Sequence, residues 1–458
     1  MGKFFDRLFK KDVNDTGSNE EESLLSFVYG VQDTFELENS NDLIVVGRVK
    51  GKIRPEVAAY ISNFSEEHAP TSLTTVVGLE IDKTLVSEAE DCYVSLRIEA
   101  GKKLDIKTGS VIYSRDISTK DVHGAYISAI GDFYVGYRNL NISEEEYGKM
   151  SITDMAEAWR LYRWVRSMKE DISEVEKEES HQKINCLAEK LCKKILEADE
   201  IYTVVNKVTG EPHLLSQTID NQDGTYTCTE PDILLITEPY TTIYQNMFPA
   251  EQFEIIKIEN GANRDGIRNF LGSTFYLNGA CGVQILSEQT AIDASKLVPK
   301  PDYKDTPEIN IPVTNPDLVR WLLLIAQLGK PETADTELIY KLYYRFMSIE
   351  ITKAKFIVPM RSDGEKPVSD ETGTVVLEKD FTFGLATMAG KDDRDAIRMY
   401  TDWKRFRMVY DMQWDGFIQP ISGMIDTFDC AINATEHIAA GCYIGKDMYC
   451  EMQQMANT

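Results

Sequence analysis

Apolar and polar residues alternate with a period of two in two neighbouring stretches of the sequence. In SLTTVVGLEID (72–82) and CYVSLRIE (92–99), residues of opposite character would face opposite sides of an extended strand. Turn-forming sequences such as EAGKK and KTG separate these runs from further strand-like runs that continue to about Leu140. Short alternating strands joined by tight turns are typical of small closed sheets. The pattern therefore predicts a small β-barrel over residues 41–141.

A helical pattern replaces this alternation after Ser143. The sequence contains no proline and few strand signals until about residue 197, and Trp159, Tyr162 and Met168 fall on one helical stripe. The acidic run EDISEVEKEE between the apolar stripes is typical of a solvated helical face or turn. We therefore predict a helical connector over residues 142–197.

The rest of the chain has the pattern of two α+β units in tandem, residues 198–300 and 301–458. In each, a helix leads into an apolar strand, DEIYTVV in the first and KFIVPM in the second, and further strands follow in the same order. A proline-rich linker opens the second unit, and helices are expected after Asn315 and from Asp335. The sequence thus predicts a multidomain, mixed α+β protein made of a barrel, a helical connector and two α+β units.

The charge balance narrows the range of partners. The chain has 49 Lys and Arg against 75 Asp and Glu, which gives a formal net charge of −26. Affinity for nucleic acid depends on clustered cations, so we do not expect a general nucleic-acid binder. None of the eight cysteines forms a CxxC pair, and most lie in apolar runs, which indicates reduced thiols and a cytoplasmic protein.

The first 40 residues differ in character from the rest. In MGKFFDRLFKK, Phe4, Phe5, Leu8 and Phe9 fall on one face of a short basic helix, and the acidic run DVNDTGSNEEES behind it predicts a disordered tether. Such a helix could contact an anionic membrane or a partner groove, fray, or dock on the chain's own body. About three turns bury too little apolar area to favour the membrane. We find neither a membrane-spanning apolar run nor a signal peptide.

The predicted barrel resembles domain two of the translation elongation factor Tu family. Three pieces occur in the family's order: VVGRVKGKI, TTVVGLEIDKTLVSEAEDCYVSLRIE and LDIKTGSVIYSR. The likeness covers about a sixth of the chain and implies a barrel whose loops contact partners. Two turns depart from the family pattern, because Pro55 shapes the first bend and EAEDC lacks the usual glycine.

The second α+β unit resembles the SseB family, named for enhanced serine sensitivity. The matching pieces are KFIVPM, AIRMYTDWKRF and CAINAT, with Tyr400 opening the aromatic-Thr-Asp stretch and Asn433 in the terminal strand. Ala434 stands where a proline is common in that family. The first unit has the pattern of a degenerate copy that lacks the TDW stretch. The resemblance implies interaction modules and no established reaction.

None of the sequence patterns that catalysis or metal binding would require is complete. GLATMAGKDD resembles a phosphate-binding loop, but Asp392 stands where Ser or Thr must ligate magnesium. DNQDGTYTCTE resembles a calcium loop, but Ile219 fills the first ligand position, and a hairpin is the better interpretation. Cys430, His437 and Cys442 lie close in sequence, and buried cysteines beside a capping histidine explain them more simply than a catalytic pair. We predict no catalytic, cofactor-binding or metal-binding residues.

The segment TDWKRFR carries a tryptophan and a basic helix face within an acidic protein. We therefore predict a protein-docking patch formed by Thr401, Asp402, Trp403, Arg405 and Arg407. Thr401 or Asp402 is better suited to capping the helix than to acting on a substrate.

These patterns favour a non-enzymatic interaction or scaffolding protein of the bacterial cytosol, with a protein partner of unknown identity. Two alternatives stay open. One is a hydrolase or transferase that uses a pocket between the tandem units. The other is a translation-associated factor whose barrel contacts the ribosome or tRNA, against which stand the net charge and the missing GTPase domain.

Overall fold

The structure is a mixed α+β, multidomain protein. It is a computed structural model, and it describes residues 26–63, 72–169, 172–237, 240–285, 290–307, 310–362, 383–390, 394–435 and 440–457. Phe4, Phe5, Leu8 and Phe9 of the predicted N-terminal helix lie outside these ranges. Across the described ranges, we find no helix whose length and apolar character would let it cross a membrane.

The described residues form two compact units that alternate along the chain. The barrel unit comprises those within Met1–Ile201, Ile236–Met247 and Ile285–Thr290, and the sheet unit comprises those within Tyr202–Leu235, Phe248–Gln284 and Ala291–Thr458. The chain passes from one unit to the other at five points, after Ile201, Leu235, Met247, Gln284 and Thr290.

A closed barrel of six strands forms in the region where the sequence alternates. The ring runs β1-β8-β3-β4-β7-β2, and β2 pairs with β1 to close it, while β5 and β6 pair with β4 and β2. The strands are β1 (Phe27–Glu36), β2 (Leu43–Ile53), β3 (Val57–Ser62), β4 (Ser72–Ile81), β5 (Thr84–Leu85), β6 (Ala89–Glu90), β7 (Tyr93–Ile98) and β8 (Val111–Tyr113). Val94, Leu96 and Ile98 face the interior as the alternation predicts. A bulge between Val76 and Gly78 shifts the register of β4 against β7.

Helices follow the barrel in the same unit. They are α1 (Thr119–Ile130), a π-helix (Gly131–Tyr137), α2 (Glu144–Lys149), α3 (Ile152–Ser167) and α4 (Glu174–Glu197). Capping boxes at Ser143, Ser151 and Ser173 begin the last three, in agreement with the predicted helical region. The prediction of strands up to about Leu140 is wrong from residue 119 onward. Ser118 caps α1 and accepts from the Asp121 N–H, and the buried residues of α1 follow helical rather than strand spacing.

The first barrel strand also corrects the sequence prediction, because β1 lies within the 1–40 segment that we assigned to a helix and tether. Residues Phe27–Val31 are buried without a break, so the run FVYGV shows no alternation. The barrel interior covers one face and α1 covers the other. A Cβ at Gly30 would lie 2.6 Å from the Ala125 carbonyl oxygen of α1. Only glycine permits an approach this close.

The sheet unit begins with a sheet of order β10-β9-β14-β16-β17. Two further strands belong to this sheet: β15 pairs with β9, and β11 pairs with β14. The strands are β9 (Glu200–Asn206), β10 (Glu211–Pro212), β11 (Leu214–Leu215), β12 (Thr218–Asp220), β13 (Tyr226–Cys228), β14 (Asp232–Ile236), β15 (Phe253–Glu259), β16 (Gly282–Ile285) and β17 (Ala291–Asp293). The intervening helices are α5 (Thr241–Met247), which belongs to the barrel unit, α6 (Gly266–Tyr276) and α7 (Ala294–Leu297). β12 and β13 form the hairpin that we predicted in place of a calcium loop.

The remainder of the sheet unit follows two long helices, α8 (Pro316–Leu328) and α9 (Ala334–Lys353). Asn315 precedes α8 and Gly329 ends it with a positive φ of 69°, as the sequence predicts. The later elements are β18 (Phe356–Ser362), β19 (Phe383–Leu385), β20 (Thr387–Ala389), β21 (Asp395–Met399), α10 (Trp403–Arg407), β22 (Asp415–Gln419), β23 (Asp429–Ile432), β24 (Cys442–Ile444) and α11 (Lys446–Ala456). The strands form the orders β19-β18-β22 and β20-β21-β23-β24. A bridge between Ile357 and Tyr400 joins the two sheets.

Candidate docking site around α10

The short helix α10 carries most of the predicted docking residues. Asp402 is its N-cap, with the side chain accepting from the Arg405 N–H at 2.9 Å, so the predicted capping role of this residue is confirmed. Thr401 donates its hydroxyl to Asp402 Oδ2 at 2.8 Å. Both residues are almost fully buried. They hold the start of the helix and present no free surface.

Arg405 is the centre of a buried polar network. Its side chain is 0% exposed, and its guanidinium donates to Asp402 Oδ2 at 2.6 Å, Asn278 Oδ1 at 2.8 Å and Glu211 Oε1 at 3.2 Å. Asn278 in turn donates to Glu211 Oε2 at 2.8 Å, and Lys404 Nζ lies 3.3 Å from Glu211 Oε1. A buried arginine needs such partners, because the cost of removing its charge from water is large.

This network corrects the docking prediction for three residues. Thr401, Asp402 and Arg405 are buried, so they cannot form part of an exposed contact surface. The basic side of α10 instead binds Glu211 and Asn278 of the same unit. These two partners had no sequence signal, since they lie 194 and 127 residues from Arg405.

A second polar anchor holds the residue before the helix cap. Asn433 adopts a positive φ of 50°, a conformation that asparagine tolerates better than most residues. Its Oδ1 accepts from the Thr401 N–H at 3.0 Å, and its Nδ2 donates to the Ala440 carbonyl at 2.8 Å. Tyr400 donates its hydroxyl to the Ala434 carbonyl at 2.9 Å. The asparagine of CAINAT thus fixes the corner at which β21 passes into α10.

The other two predicted residues do reach the surface. Trp403 is half-buried, and Arg407 is exposed with its guanidinium 5.4 Å from the Trp403 ring centroid and 4.8 Å from that of Phe406. Arg407 Nη1 donates to the carbonyls of Asp411 and Trp414. Exposed apolar side chains follow on the same stretch of chain. We define the α10 surface as Arg407, Met408, Met412, Trp414 and Ile418.

The apolar members of this surface are unusually open for large side chains. Met408 is 46% exposed, Met412 77% and Ile418 40%. Trp414 of this surface packs, together with Trp403, against an aromatic cluster that contains Tyr400 and Phe406. The buried network and the aromatic cluster together give the α10 surface a fixed support.

Ionisable groups with shifted pKa values also gather in the barrel unit. Burial raises the pKa of Asp154 and Glu157, while burial and the nearby Arg160 charge lower the pKa of His123 to about 4. Asp154 Oδ1 accepts from the Tyr126 hydroxyl at 2.9 Å, and Glu157 Oε2 accepts from Arg160 Nε at 2.9 Å. The two carboxylates are only 2% and 4% exposed. Hydrogen bonding and burial account for these groups as parts of the core.

The two cysteines of the Cys430, His437 and Cys442 group are buried or half-buried. Cys430 and Cys442 lie on the paired strands β23 and β24, and burial raises the pKa of each thiol to about 12. A thiol with so high a pKa is a poor nucleophile at neutral pH. His437 lies outside the described residues. Within the residues that are described, no three His, Cys, Asp or Glu side chains are grouped as metal ligands would be.

Comparisons with known proteins add little to this description. No family model matches the chain, and no curated protein matches it. One similar solved structure is the apo crystal structure of translation elongation factor SelB from Methanococcus maripaludis, with 17% sequence identity and a TM-score of 0.18. The match spans 23% of this chain and 21% of that one. So low a score carries no argument about function, and both family resemblances stay predictions.

Proposed function

We propose that this chain is a non-catalytic protein-binding protein of the bacterial cytosol, which docks a partner on the α10 surface. The observation that carries the proposal is the exposure of Met408 and Met412 beside Arg407 on a segment whose base is firmly anchored. Exposed apolar side chains grouped around an arginine and tryptophans are characteristic of protein contact sites.

The support beneath the surface is what suits it to recognition. Asp402 caps α10, Arg405 ties it to Glu211 and Asn278, and Asn433 holds the preceding corner. A surface that is already ordered loses less conformational entropy when a partner binds. Methionine side chains are flexible and polarisable, so they adapt to the shape of an incoming apolar group.

The strand order supports a tandem origin for the sheet unit. In the earlier part β15, β9, β14, β16 and β17 lie side by side, and in the later part β22, β18, β21, β23 and β24 follow the same sequence, with the Ile357–Tyr400 bridge linking β18 to β21. We propose that the two parts are SseB-like copies, and that α10 of the second copy has become the element that holds the two together. The elongation-factor-like barrel would supply a separate contact surface.

Two variants with the same chemical change test the proposal. Met412→Asp introduces a charge on the α10 surface, and Met168→Asp introduces the same charge at an exposed methionine of the barrel unit, where the exposed fractions are 77% and 64%. Full-length wild-type and variant proteins are expressed with an affinity tag in the native cell, and co-purifying proteins are quantified by mass spectrometry.

We expect Met412→Asp to reduce recovery of a specific partner by about tenfold or more, and Met168→Asp to leave it unchanged. Equal recovery with both variants would contradict docking on the α10 surface. A substrate turned over by the purified protein would contradict the non-catalytic part of the proposal.

A further inference from the structure

The strand β22 lies at the edge of its sheet, next to the α10 surface. It pairs antiparallel with β18, and the register places Gln419 opposite Phe356, Ile418 opposite Ile357 and Gly416 opposite Pro359. Within the described ranges β18 is the only strand that pairs with β22. Among the described residues, no further strand lies along the outer side of β22.

The hydrogen bonds that β18 makes on the side away from β22 show in which direction the backbone groups of β22 point. The N–H and the carbonyl of Ile357 bond with Tyr400, both at 2.9 Å, so they point away from β22. The facing pair of Ile357 and Ile418 is thus a non-hydrogen-bonded pair of the antiparallel ladder. Pro359 has no N–H, and its carbonyl accepts from the Ala386 N–H at 3.3 Å. The facing pair of Pro359 and Gly416 is therefore also a non-hydrogen-bonded pair.

Gly416 and Ile418 consequently direct their N–H and carbonyl groups outward. Across the described part of the chain, the backbones of these two residues make no hydrogen bond on that side. In an antiparallel pair, every second residue of a strand exchanges hydrogen bonds with the neighbouring strand. A peptide in extended conformation could therefore bond to both.

Another edge strand of the unit, β15, shows how this chain protects such an edge. β15 has β9 as its strand neighbour and carries charges at Glu254, Lys257 and Glu259, which discourage further pairing. After its first residue, β22 has the sequence GFIQ, without a charge or a proline, and Ile418 is 40% exposed. Open hydrogen-bonding groups beside an exposed apolar side chain are the features of a strand-addition site.

We propose that the β22 edge receives an extended segment of a partner protein, which adds as a strand and carries apolar residues together with an acidic residue. This proposal rests on the proposed function and names the chemistry of the partner. An apolar side chain of the segment would pack on Ile418, which is 40% exposed.

Charge complementarity selects the acidic residue. Arg407 lies at the start of β22, with Nη1 donating to the Trp414 carbonyl at 3.1 Å. Its hydrogen-bond acceptors are carbonyls, and no carboxylate of a described residue pairs with it. The nearby Asp411 carboxylate accepts instead from the Gln413 N–H at 2.9 Å. A carboxylate on the added strand would pair with this exposed guanidinium.

Ile418→Pro tests the edge directly. The Ile418 N–H faces outward, so proline removes a donor to the added strand and leaves the hydrogen bonds to β18 in place. Ile418→Thr is the matched control, because threonine keeps the N–H, the branched Cβ and the strand preference. Arg407→Glu and Arg407→Lys form a second pair that tests the acidic residue.

The probe is a phage-displayed library of random dodecapeptides, selected on the full-length protein. The preferred peptide is then synthesised with a fluorescent label and titrated against each variant by anisotropy. We expect selected peptides to share alternating apolar residues and at least one acidic residue. Binding should fall about tenfold or more in Ile418→Pro and Arg407→Glu, and change less than about twofold in Ile418→Thr and Arg407→Lys.

Several results would overturn the proposal. These are failure to select any peptide, or equal binding to Ile418→Pro and wild type when near-ultraviolet circular dichroism shows both to be folded. If Ile418→Pro does not fold, unchanged binding to Arg407→Glu overturns it instead. A wild-type dimer in sedimentation that becomes a monomer in Ile418→Pro would show that a second copy occupies the edge.

The outcomes also separate this proposal from the broader one. If Met412→Asp abolishes partner recovery and Ile418→Pro does not, the α10 surface binds a partner without strand addition. If neither variant affects recovery, both proposals fail.

Discussion

The guanidinium of Arg405 donates to the carboxylate of Glu211 at 3.2 Å across 194 residues of sequence. The same side chain is fully buried and also binds Asp402 and Asn278. The basic residues Lys404 and Arg405 of α10 therefore bind within their own unit. What is left for a partner is the adjoining exposed stretch from Arg407 to Ile418.

Replacing Arg405 with methionine should destabilise the sheet unit strongly. Arg405→Met leaves the buried carboxylate of Asp402 without its cation and leaves Glu211 with Lys404 alone, which costs about 3–5 kcal/mol. Arg407→Met, at an exposed position two residues on, should cost less than about 1 kcal/mol. Denaturant-dependent hydrogen exchange in β18 and β21 of the full-length protein measures both. Equal effects would show that burial of the network does not matter to stability.

Two glycine-to-alanine changes in the barrel unit should have opposite effects. A Cβ at Gly47 would lie 2.0 Å from the Gly30 carbonyl oxygen, so Gly47→Ala forces the backbone apart and should cost at least about 2 kcal/mol. Gly124 lies within α1 with nothing within 4 Å of its Cβ position. Gly124→Ala should therefore stabilise the unit by about 0.5–1 kcal/mol. Thermal unfolding monitored by amide hydrogen exchange in β2 measures both changes. An effect of the opposite sign in either variant would contradict the prediction.

The sheet unit should lose stability in mild acid through His213. Burial lowers the pKa of His213 to about 4, and its ring lies 5.0 Å from that of Phe253. Unfolding returns the pKa to about 6.5, so the unfolded chain binds the proton first as the pH falls. The contribution is complete above about pH 6.5 and declines towards pH 4, by at most about 3 kcal/mol.

His213→Phe should flatten this decline, since phenylalanine fills the aromatic site without titrating. His181→Phe, at an exposed position of α4, is the control and should leave the decline unchanged. Stability of the sheet unit is measured by urea unfolding at a series of pH values. A decline that persists in His213→Phe would assign it to another group.

Asp232 should make the sheet unit less stable as the pH rises, which is the opposite of the effect of His213. Burial raises its pKa to about 6, despite the hydrogen bond from Gln284 Nε2 at 3.2 Å. The folded state thus holds the proton more tightly than the unfolded chain, and the contribution to stability present below about pH 4 is lost as the pH rises to 6. Asp232→Asn should raise stability at neutral pH by about 1 kcal/mol, after allowance for remaining solvent contact. Asp220→Asn, at an exposed position of the β12–β13 hairpin, is the control and should leave stability at neutral pH unchanged in the same urea unfolding.

The sequence predicted the fold best where one period dominates. Val94, Leu96 and Ile98 alternate as a half-buried strand should, and the barrel formed there. The pattern failed where both faces of an element are covered or where residue preference conflicts with position. Phe27–Val31 is buried throughout, and α1 contains AYISAI, whose tyrosine and two isoleucines favour strands although Ser118 caps a helix.

The candidate site was predictable only in its local part. Asp402 could be recognised as a cap because capping involves neighbouring residues. The burial of Arg405 depends on Glu211 and Asn278, which approach it only in the folded chain. No local pattern records contacts between residues so distant in sequence, so a buried cation resembled an exposed one.

The order in which the chain crosses between its two units has a consequence for synthesis. The barrel unit includes Tyr240, whose ring lies 6.0 Å from that of His123, and it also includes Thr290. A nascent chain that has emerged only to Ile201 therefore holds a closed barrel without all the pieces of its unit. The barrel unit can therefore be completed only after well over half of the polypeptide has been synthesised. Amino-terminal fragments that end after α4 should be prone to aggregate.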